Sequence, residues 1–382
     1  MTVQGAPAQG QTATEAAGRQ AWMDNLRVAV ITGVIVLHVA TAYVLDISWY
    51  YEERTASGVA EAVLAVLFLP TALFAMAVLF LVAGMLTARS MARKGARGFW
   101  RDRLLRLGVP VVAFIVVVDP ATSVLGNWGS GDYADFATMV RYEFTHPGSG
   151  PMWFVVALLA FSVTYALWRR FRPMPADADR LLRRRYLLVA AAVIVGATFV
   201  VRLVWPFAAE TPLALNLWEW PQMAVLFAVG ALTEERGWLT PPPTWLRRAC
   251  LLAGVVAIIA VLAVAVPITA SDNPDAFLGG WHVQALAEPI CEATIAVSMS
   301  FWVALWFAGH VTYQGRFARA LGHASYATYV VHAPIVVALS VALAGIALAA
   351  EVKFVAVAAL GIAASYTLGW LFTRPHRQHR RA

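Results

Sequence analysis

Residues 28–47 read VAVITGVIVLHVATAYVLDI, and this stretch decides the class of fold. Apart from Tyr43, His38 and Asp46 are its only ionisable residues. An apolar helix of roughly 20 residues is long enough to cross the hydrocarbon core of a bilayer. The stretch therefore predicts a transmembrane helix that carries a histidine close to its middle.

Similar apolar stretches recur along the rest of the chain. Hydrophobic residues make up 60% of the 382 residues and charged residues only 13%, which is about half the charged share of a soluble domain. The sequence predicts an all-α polytopic membrane protein with about ten transmembrane helices and both termini cytoplasmic. The ten predicted spans cover residues 28–47, 60–86, 107–126, 151–168, 186–207, 215–233, 248–269, 286–309, 325–348 and 352–372.

The basic residues test this topology, because Lys and Arg favour the cytoplasmic side of short loops. With the N-terminus inside, 25 of the 29 basic residues fall on the cytoplasmic side. The acidic loop residues collect on the opposite side. This asymmetry already explains the net charge of +7, so we expect no nucleic acid as a partner.

Three regions follow from these patterns. Residues 1–20 are polar and are predicted to be a disordered cytoplasmic tail. Residues 21–373 are predicted to form a single membrane domain. Residues 374–382 are a basic cytoplasmic tail.

His38 is the most informative ionisable residue inside a predicted span. It follows Arg27 by eleven residues and so lies about 16 Å deeper along a helix, near the centre of the bilayer. Ionisable groups at that depth are costly and often functional. An imidazole there could act as a general base, a nucleophile or a metal ligand, or could simply bond between packed helices. The position of His38 alone does not distinguish between these roles. No His or Cys stands one turn away, so no metal is expected.

Other buried polar residues also allow two interpretations. His332 shares a helix face with Tyr329, and a packing role is favoured for it. Glu288 and Glu292 lie one turn apart, which suits either proton transfer or an ion pair with Arg202. The ion pair is favoured.

Two aspartates lie toward the outer side of the predicted bundle. Asp119 precedes Pro120 in the third span, and Asp46 ends the first. Either carboxylate could orient a histidine or cap a helix end, and the sequence does not choose between these roles.

The cytoplasmic stretch 89–106 alternates arginines with aromatic and apolar residues. Arg89, Arg103 and Arg106 could bind the phosphates of a cofactor, since guanidinium groups recognise phosphate well. Such spacing is also typical of an amphipathic segment anchored at the membrane surface. From the residues alone, anchoring is favoured.

Five segments carry a resemblance to a known family. WMDNLR at 22–27 leads to His38, FLVAGMLTAR occupies 80–89, and RLLR occupies 103–106. GPMWF follows at 150–154, and SYATYVVHAP at 325–334. In this order they resemble the landmarks of membrane-bound acyltransferase family 3. The start DNLR and the Asp119–Pro120 step are similar to the branch with periplasmic glucan succinyltransferases. Ala83-Gly84-Met85 departs from the family's usual Ser-Gly-Phe.

The resemblance implies an enzyme that moves an acetyl, succinyl or similar group from cytoplasmic acyl-CoA to a hydroxyl of a glycan or other small acceptor. It implies His38 as general base or acyl carrier, with Arg27 beside it as a second catalytic residue. It implies binding of CoA phosphates by Arg89, Arg103 and Arg106. The expected substrate-binding residues are Trp153, Glu288 and Glu292.

The implied partners are acyl-CoA as co-substrate, a glycan or natural-product hydroxyl acceptor, and the lipid bilayer, with a homodimer as an open alternative. The expected location is the bacterial inner membrane. A transporter or flippase is the alternative from another class, because ten helices and buried charges also suit transport. The two halves of the chain share no evident pattern, which counts against an internal transporter repeat.

Overall fold

The computed structural model describes residues 9–45, 47–130, 135–172, 181–239, 242–269 and 273–374. Every regular element in this part of the chain is helical. The α-helices are α1 Gln9–Tyr43, α2 Gly58–Arg103, α3 Val109–Ala113, α4 Asp119–Ser130, α5 Phe136–Thr145, α6 Trp153–Phe171, α7 Arg184–Arg202, α8 Trp220–Arg236, α9 Leu246–Thr269, α10 Asp275–Leu278, α11 Ala287–His310, α12 Arg316–Ala344 and α13 Ala350–Thr373.

Eight helical segments in the described residues are long and apolar enough to cross a membrane. The predicted all-α membrane fold is therefore confirmed, although ten spans were expected. Two structural facts account for the difference. The helical segment Gly58–Trp128 is continuous and covers both the second and the third predicted spans. Helix α8, at 17 residues, is shorter than each of these eight segments and is not among them.

The segment Gly58–Trp128 changes direction at defined points. Gly95 has φ 66° and ψ 172°, which breaks the regular geometry of α2 and suits a residue without Cβ. Wider π-helical turns follow at Leu104–Gly108 and Phe114–Val118. Pro110 and Pro120 lie directly after these two turns, and proline cannot donate to the preceding helical ladder. The arginine-rich stretch is thus folded back on the end of α2.

Two glycines bring α2 and α8 into close contact. A Cβ atom at Gly84 would collide with the carbonyl oxygen of Phe227, and one at Gly230 would collide with that of Leu81. The backbones touch because neither position carries a side chain. Gly84 is the central residue of Ala83-Gly84-Met85, so in this segment the glycine has a packing role.

Helix α1 lies at the centre of the bundle and packs against α2, α11, α12 and α13. By contrast, α7 and α9 carry apolar side chains that are largely exposed, as a lipid-facing surface requires. They include Leu188, Val189, Leu252, Val256 and Ile259. His38 on α1 is therefore placed in the interior of the bundle.

The N-terminal segment differs from the expected disordered tail. Helix α1 begins at Gln9, so residues 9–20 continue the first membrane helix. Ala and Gln make up half of this stretch and favour helix, and extension of an existing helix avoids the cost of nucleation. Residues 1–8 and 375–382 lie outside the described part of the chain.

Gly84→Ala should destabilise the fold by about 1–3 kcal/mol, because its Cβ meets backbone atoms of α8 that cannot rotate away. Gly196→Ala on α7 is the matched control, since no atom lies within 4 Å of the added methyl group. Thermal unfolding of both variants in detergent measures the difference. Equal melting temperatures would contradict the close contact between α2 and α8.

Candidate functional site

His38 and His332 form a hydrogen-bonded pair in the centre of the bundle. His38 Nδ1 lies 2.8 Å from His332 Nε2, and the two rings are stacked with centroids 5.0 Å apart. His332, on α12, is fully buried, whereas His38 on α1 is only partly buried. The sequence favoured a packing role for His332, yet the structure places it in direct contact with the candidate catalytic histidine.

A backbone carbonyl decides which nitrogens of this pair carry hydrogen. His332 Nδ1 lies 2.5 Å from the carbonyl oxygen of Tyr329, and a carbonyl can only accept. Neutral His332 therefore carries its hydrogen on Nδ1 and presents a lone pair at Nε2. His38 donates from Nδ1 to that lone pair, which leaves the lone pair of His38 on its Nε2. This is the tautomer that a general base needs.

Tyr329 also joins two of the five segments that carry the family resemblance. Its hydroxyl donates to the carbonyl oxygen of Pro151, and its ring packs against Phe154 with centroids 5.7 Å apart. Trp153, an expected substrate-binding residue, begins α6 in the same segment and is partly buried. The segments 150–154 and 325–334 thus meet beside the histidine pair.

The loop between α1 and α2 covers His38 with an aromatic side chain. The Trp49 ring stacks on His38 with centroids 4.2 Å apart and planes 12° apart. The next residue, Tyr50, donates its hydroxyl to Asp119, and the Gly148 N–H donates to the other oxygen of that carboxylate at 2.8 Å. Neither Trp49 nor Tyr50 was predicted from the sequence as part of the site.

Asp119 and Asp46 were the two candidates for orienting a histidine. Asp119 is buried and accepts a hydrogen bond from Tyr50. Tyr50 packs against Trp49, which stacks on His38, so Asp119 is connected to His38 only indirectly. Asp46 lies outside the described residues. The orienting partner of His38 that the structure shows is His332.

Arg27 fastens α1 to α12 at a second level of the bundle. Its Nη2 donates to the Gly322 carbonyl oxygen at 3.0 Å and lies 3.4 Å from Asp24. Arg27 and His38 are eleven residues apart on α1, and their partners Gly322 and His332 are ten residues apart on α12, in the same order. The two helices therefore run parallel. Arg27 thereby helps to set the register that places the two histidines opposite each other.

Among the expected phosphate-binding arginines, Arg89 is already paired. Its guanidinium group donates twice to the Glu234 carboxylate, each time at 2.9 Å. Such a bidentate pair fixes both side chains and neutralises the charge of the arginine. Arg89 therefore joins α2 to α8 on the side of the bundle where the arginine-rich stretch lies.

Arg103 and Arg106 have more capacity for an anion. Arg103 Nη2 donates to Thr87 Oγ1 at 2.8 Å, while its buried Nε has no hydrogen-bond partner in the described residues. The side chain of Arg106 is 75% exposed and pairs with Asp102 at 2.9 Å. An exposed ion pair contributes little stability, so Arg106 can exchange its partner for a phosphate at small cost.

Glu288 and Glu292 form the ion pair that the sequence favoured over proton transfer. Arg202 Nη2 donates to both oxygens of Glu292 at 3.0 and 2.9 Å, and Arg202 Nη1 donates to Glu288 at 3.3 Å. Only 2% of Arg202 is exposed, and its guanidinium group also lies over the Phe207 ring. These contacts join α7 to α11 and give both carboxylates a structural partner.

Metal-ligating residues do not cluster in the part of the chain that the structure describes. No group of three or more His, Cys, Asp or Glu side chains there could hold a metal ion. Cys250 and Cys291 are both buried and free, and each occupies the interior as a small apolar side chain.

The fold is that of a helical, multi-pass membrane protein. At its centre, His38 carries a lone pair on Nε2, as a general base does. The family model described as an acyltransferase domain matches residues 20–374. Because this match covers most of the chain, the protein belongs to membrane-bound acyltransferase family 3, and it is a membrane acyltransferase. No curated protein and no solved structure matches the chain.

Arg202→Met should destabilise the protein by about 3–5 kcal/mol, because it leaves two carboxylates buried without their cation. Arg106→Met serves as control, since it removes an exposed ion pair worth well under about 1 kcal/mol. Unfolding midpoints in detergent report both effects. A variant at Arg202 as stable as the control would show that these carboxylates do not need the arginine.

Proposed function

We propose that this acyltransferase moves an acyl group from cytoplasmic acyl-CoA to a hydroxyl of a glycan or other small acceptor, with His38 as the general base. One observation carries the proposal. The hydrogen bonds from His38 to His332 and from His332 to the Tyr329 carbonyl assign the lone pair of His38 to Nε2. A base with its second nitrogen held by an orienting partner is the arrangement that activates hydroxyl nucleophiles in many acyl-transfer enzymes.

In this direct route, the acyl group passes from CoA to the acceptor without first binding to His38. One proton moves twice. His38 Nε2 takes the proton of the acceptor hydroxyl while the hydroxyl oxygen attacks the thioester carbonyl carbon. The tetrahedral intermediate then breaks its carbon–sulfur bond. The departing CoA thiolate takes the proton back from His38, so the products are an ester and CoA with a free thiol. His332 keeps the imidazolium oriented by accepting from Nδ1 throughout.

The arginine-rich stretch supplies the binding site for the CoA phosphates in this proposal. Arg106 is exposed and Arg103 is partly exposed, so the guanidinium group of each can meet phosphate oxygens. Arg89 supports this surface through its pair with Glu234. From this level the pantetheine arm extends toward the middle of the bundle, where His38 lies about 16 Å above Arg27.

The cellular setting follows from the same orientation. Basic residues on the side of Arg103 and Arg106 face the cytoplasm, which is where acyl-CoA is found. The acceptor enters from the opposite side, past Trp49 and Tyr50. We place the protein in a bacterial inner membrane, with the glycan or natural-product acceptor delivered to its outer face.

Labelled acetyl-CoA and succinyl-CoA, each incubated with the purified protein and a pool of glycans and macrolides, test the function. The wild type should release CoA and yield acylated product. His38→Ala should abolish transfer, and His332→Phe should lower kcat about 10²- to 10⁴-fold, since it removes the partner that fixes the tautomer.

His310→Ala is the control for these histidine variants, because His310 is exposed at the end of α11 and should be dispensable. All variants are compared as monodisperse protein in detergent. A folded His38→Ala variant that still acylates the acceptor would contradict the role of His38 as base.

Arg103→Ala and Arg106→Ala should each weaken binding of acyl-CoA roughly 10- to 100-fold, the loss expected for a charge-assisted hydrogen bond to phosphate. Isothermal titration calorimetry with acetyl-CoA measures the affinity. Arg141→Ala, an exposed arginine on α5, should leave it unchanged. Wild-type affinity in the first two variants would assign these arginines to membrane anchoring.

A further inference from the structure

The loop 47–57 is fixed to the end of α1 by backbone hydrogen bonds. The Glu53 N–H donates to the Ala42 carbonyl oxygen at 2.8 Å, and the Thr55 N–H donates to that of Tyr43 at 2.9 Å. These bonds satisfy carbonyl groups that the end of a helix would otherwise leave open. The loop therefore folds back over α1 instead of extending away from the bundle.

Side chains of the loop are also tied to α13. Lys353 Nζ pairs with Glu53 at 2.5 Å, and the Lys353 side chain is only 2% exposed. Thr55 donates to the Glu351 carboxylate in the same region. The Lys353 end of this ion pair is buried, and the pair restricts the movement of the loop relative to α13. Trp49 thus lies between the end of α1 and the anchor at Glu53, and its position is set by the fold.

The indole of Trp49 stacks on His38 but leaves its buried Nε1–H without a hydrogen-bond acceptor among the described residues. An unsatisfied buried donor costs about 1–3 kcal/mol. By comparison, Trp220 Nε1 donates to the Leu215 carbonyl oxygen at 2.8 Å. The donor of Trp49 is left unused beside the candidate base.

We propose that Trp49 is a catalytic residue that stabilises both charges formed during acyl transfer. This inference rests on the proposed function. The face of the indole attracts the imidazolium that forms when His38 takes the acceptor proton. The Nε1–H donates to the thioester carbonyl oxygen, which becomes negative when the acceptor oxygen attacks and returns to a carbonyl when the CoA thiolate leaves.

The chemistry of the reacting groups selects the carbonyl oxygen as the partner of this N–H. An indole N–H can only donate, so its partner must accept. A hydrogen bond donated to the acceptor hydroxyl oxygen would weaken that oxygen as a nucleophile, and the thioester sulfur is a weak acceptor. The carbonyl oxygen is the atom at which negative charge develops, and a donor already in place there needs no reorganisation during the reaction.

Replacement of Trp49 by benzothienylalanine tests the donor, because this isostere keeps the flat bicyclic ring and substitutes sulfur for N–H. With an acyl-CoA and acceptor pair that the wild type uses, kcat should fall about 10²- to 10³-fold, the loss found for one oxyanion donor. Affinity for acetyl-CoA by calorimetry should stay unchanged. Trp49→Phe should show a similar loss, and Trp49→Leu a larger one because it also removes the ring face.

Trp220→Phe is the matched control, since it removes an indole N–H that already has a backbone partner. It should lower stability while leaving kcat near that of the wild type. A benzothienylalanine variant with wild-type kcat would overturn the inference, as would a loss confined to acyl-CoA affinity. If the wild type transfers the acyl group and His38→Ala does not, a benzothienylalanine variant with wild-type kcat removes only the role of Trp49 and leaves the proposed function intact. A wild type without transfer activity would overturn the proposed function as well.

Discussion

The hydrogen bond between His38 and His332 is the contact on which the rest of the site depends. It requires two helices that are far apart in sequence to lie in register, and Arg27 sets that register at a second level of the bundle. It also requires the Tyr329 carbonyl, which determines the tautomer of both rings. One carbonyl oxygen thus determines which nitrogen of His38 keeps its lone pair.

The surrounding bundle holds this pair between two chemically different sides. On one side, close packing at Gly84 brings Arg89 to Glu234 and places the arginine-rich stretch next to the bundle. On the other side, the loop that carries Trp49 covers the imidazole. In the proposed function, an acyl donor with phosphates approaches His38 from the first side and an acceptor with hydroxyl groups approaches it from the second.

Much of this arrangement could be predicted from the sequence. Apolar stretches of about 20 residues indicated the helices, and the depth of His38 marked it as a residue of interest. The pairing with His332 could not be predicted, because it depends on the register of α1 against α12. Trp49 was missed because a short polar loop gives no periodic signal of where it folds. The eight candidate spans differ from the ten expected because helix continuity and exact length are set by packing.

The most direct test is a cryo-electron microscopy structure with a non-reactive thioether analogue of acyl-CoA. We expect phosphates against Arg103 and Arg106, and the acyl end within about 4 Å of His38 Nε2, close enough for attack by an activated hydroxyl. An acyl end bound elsewhere in the bundle, such as beside Arg202, with His38 contacting only protein atoms, would contradict this expectation.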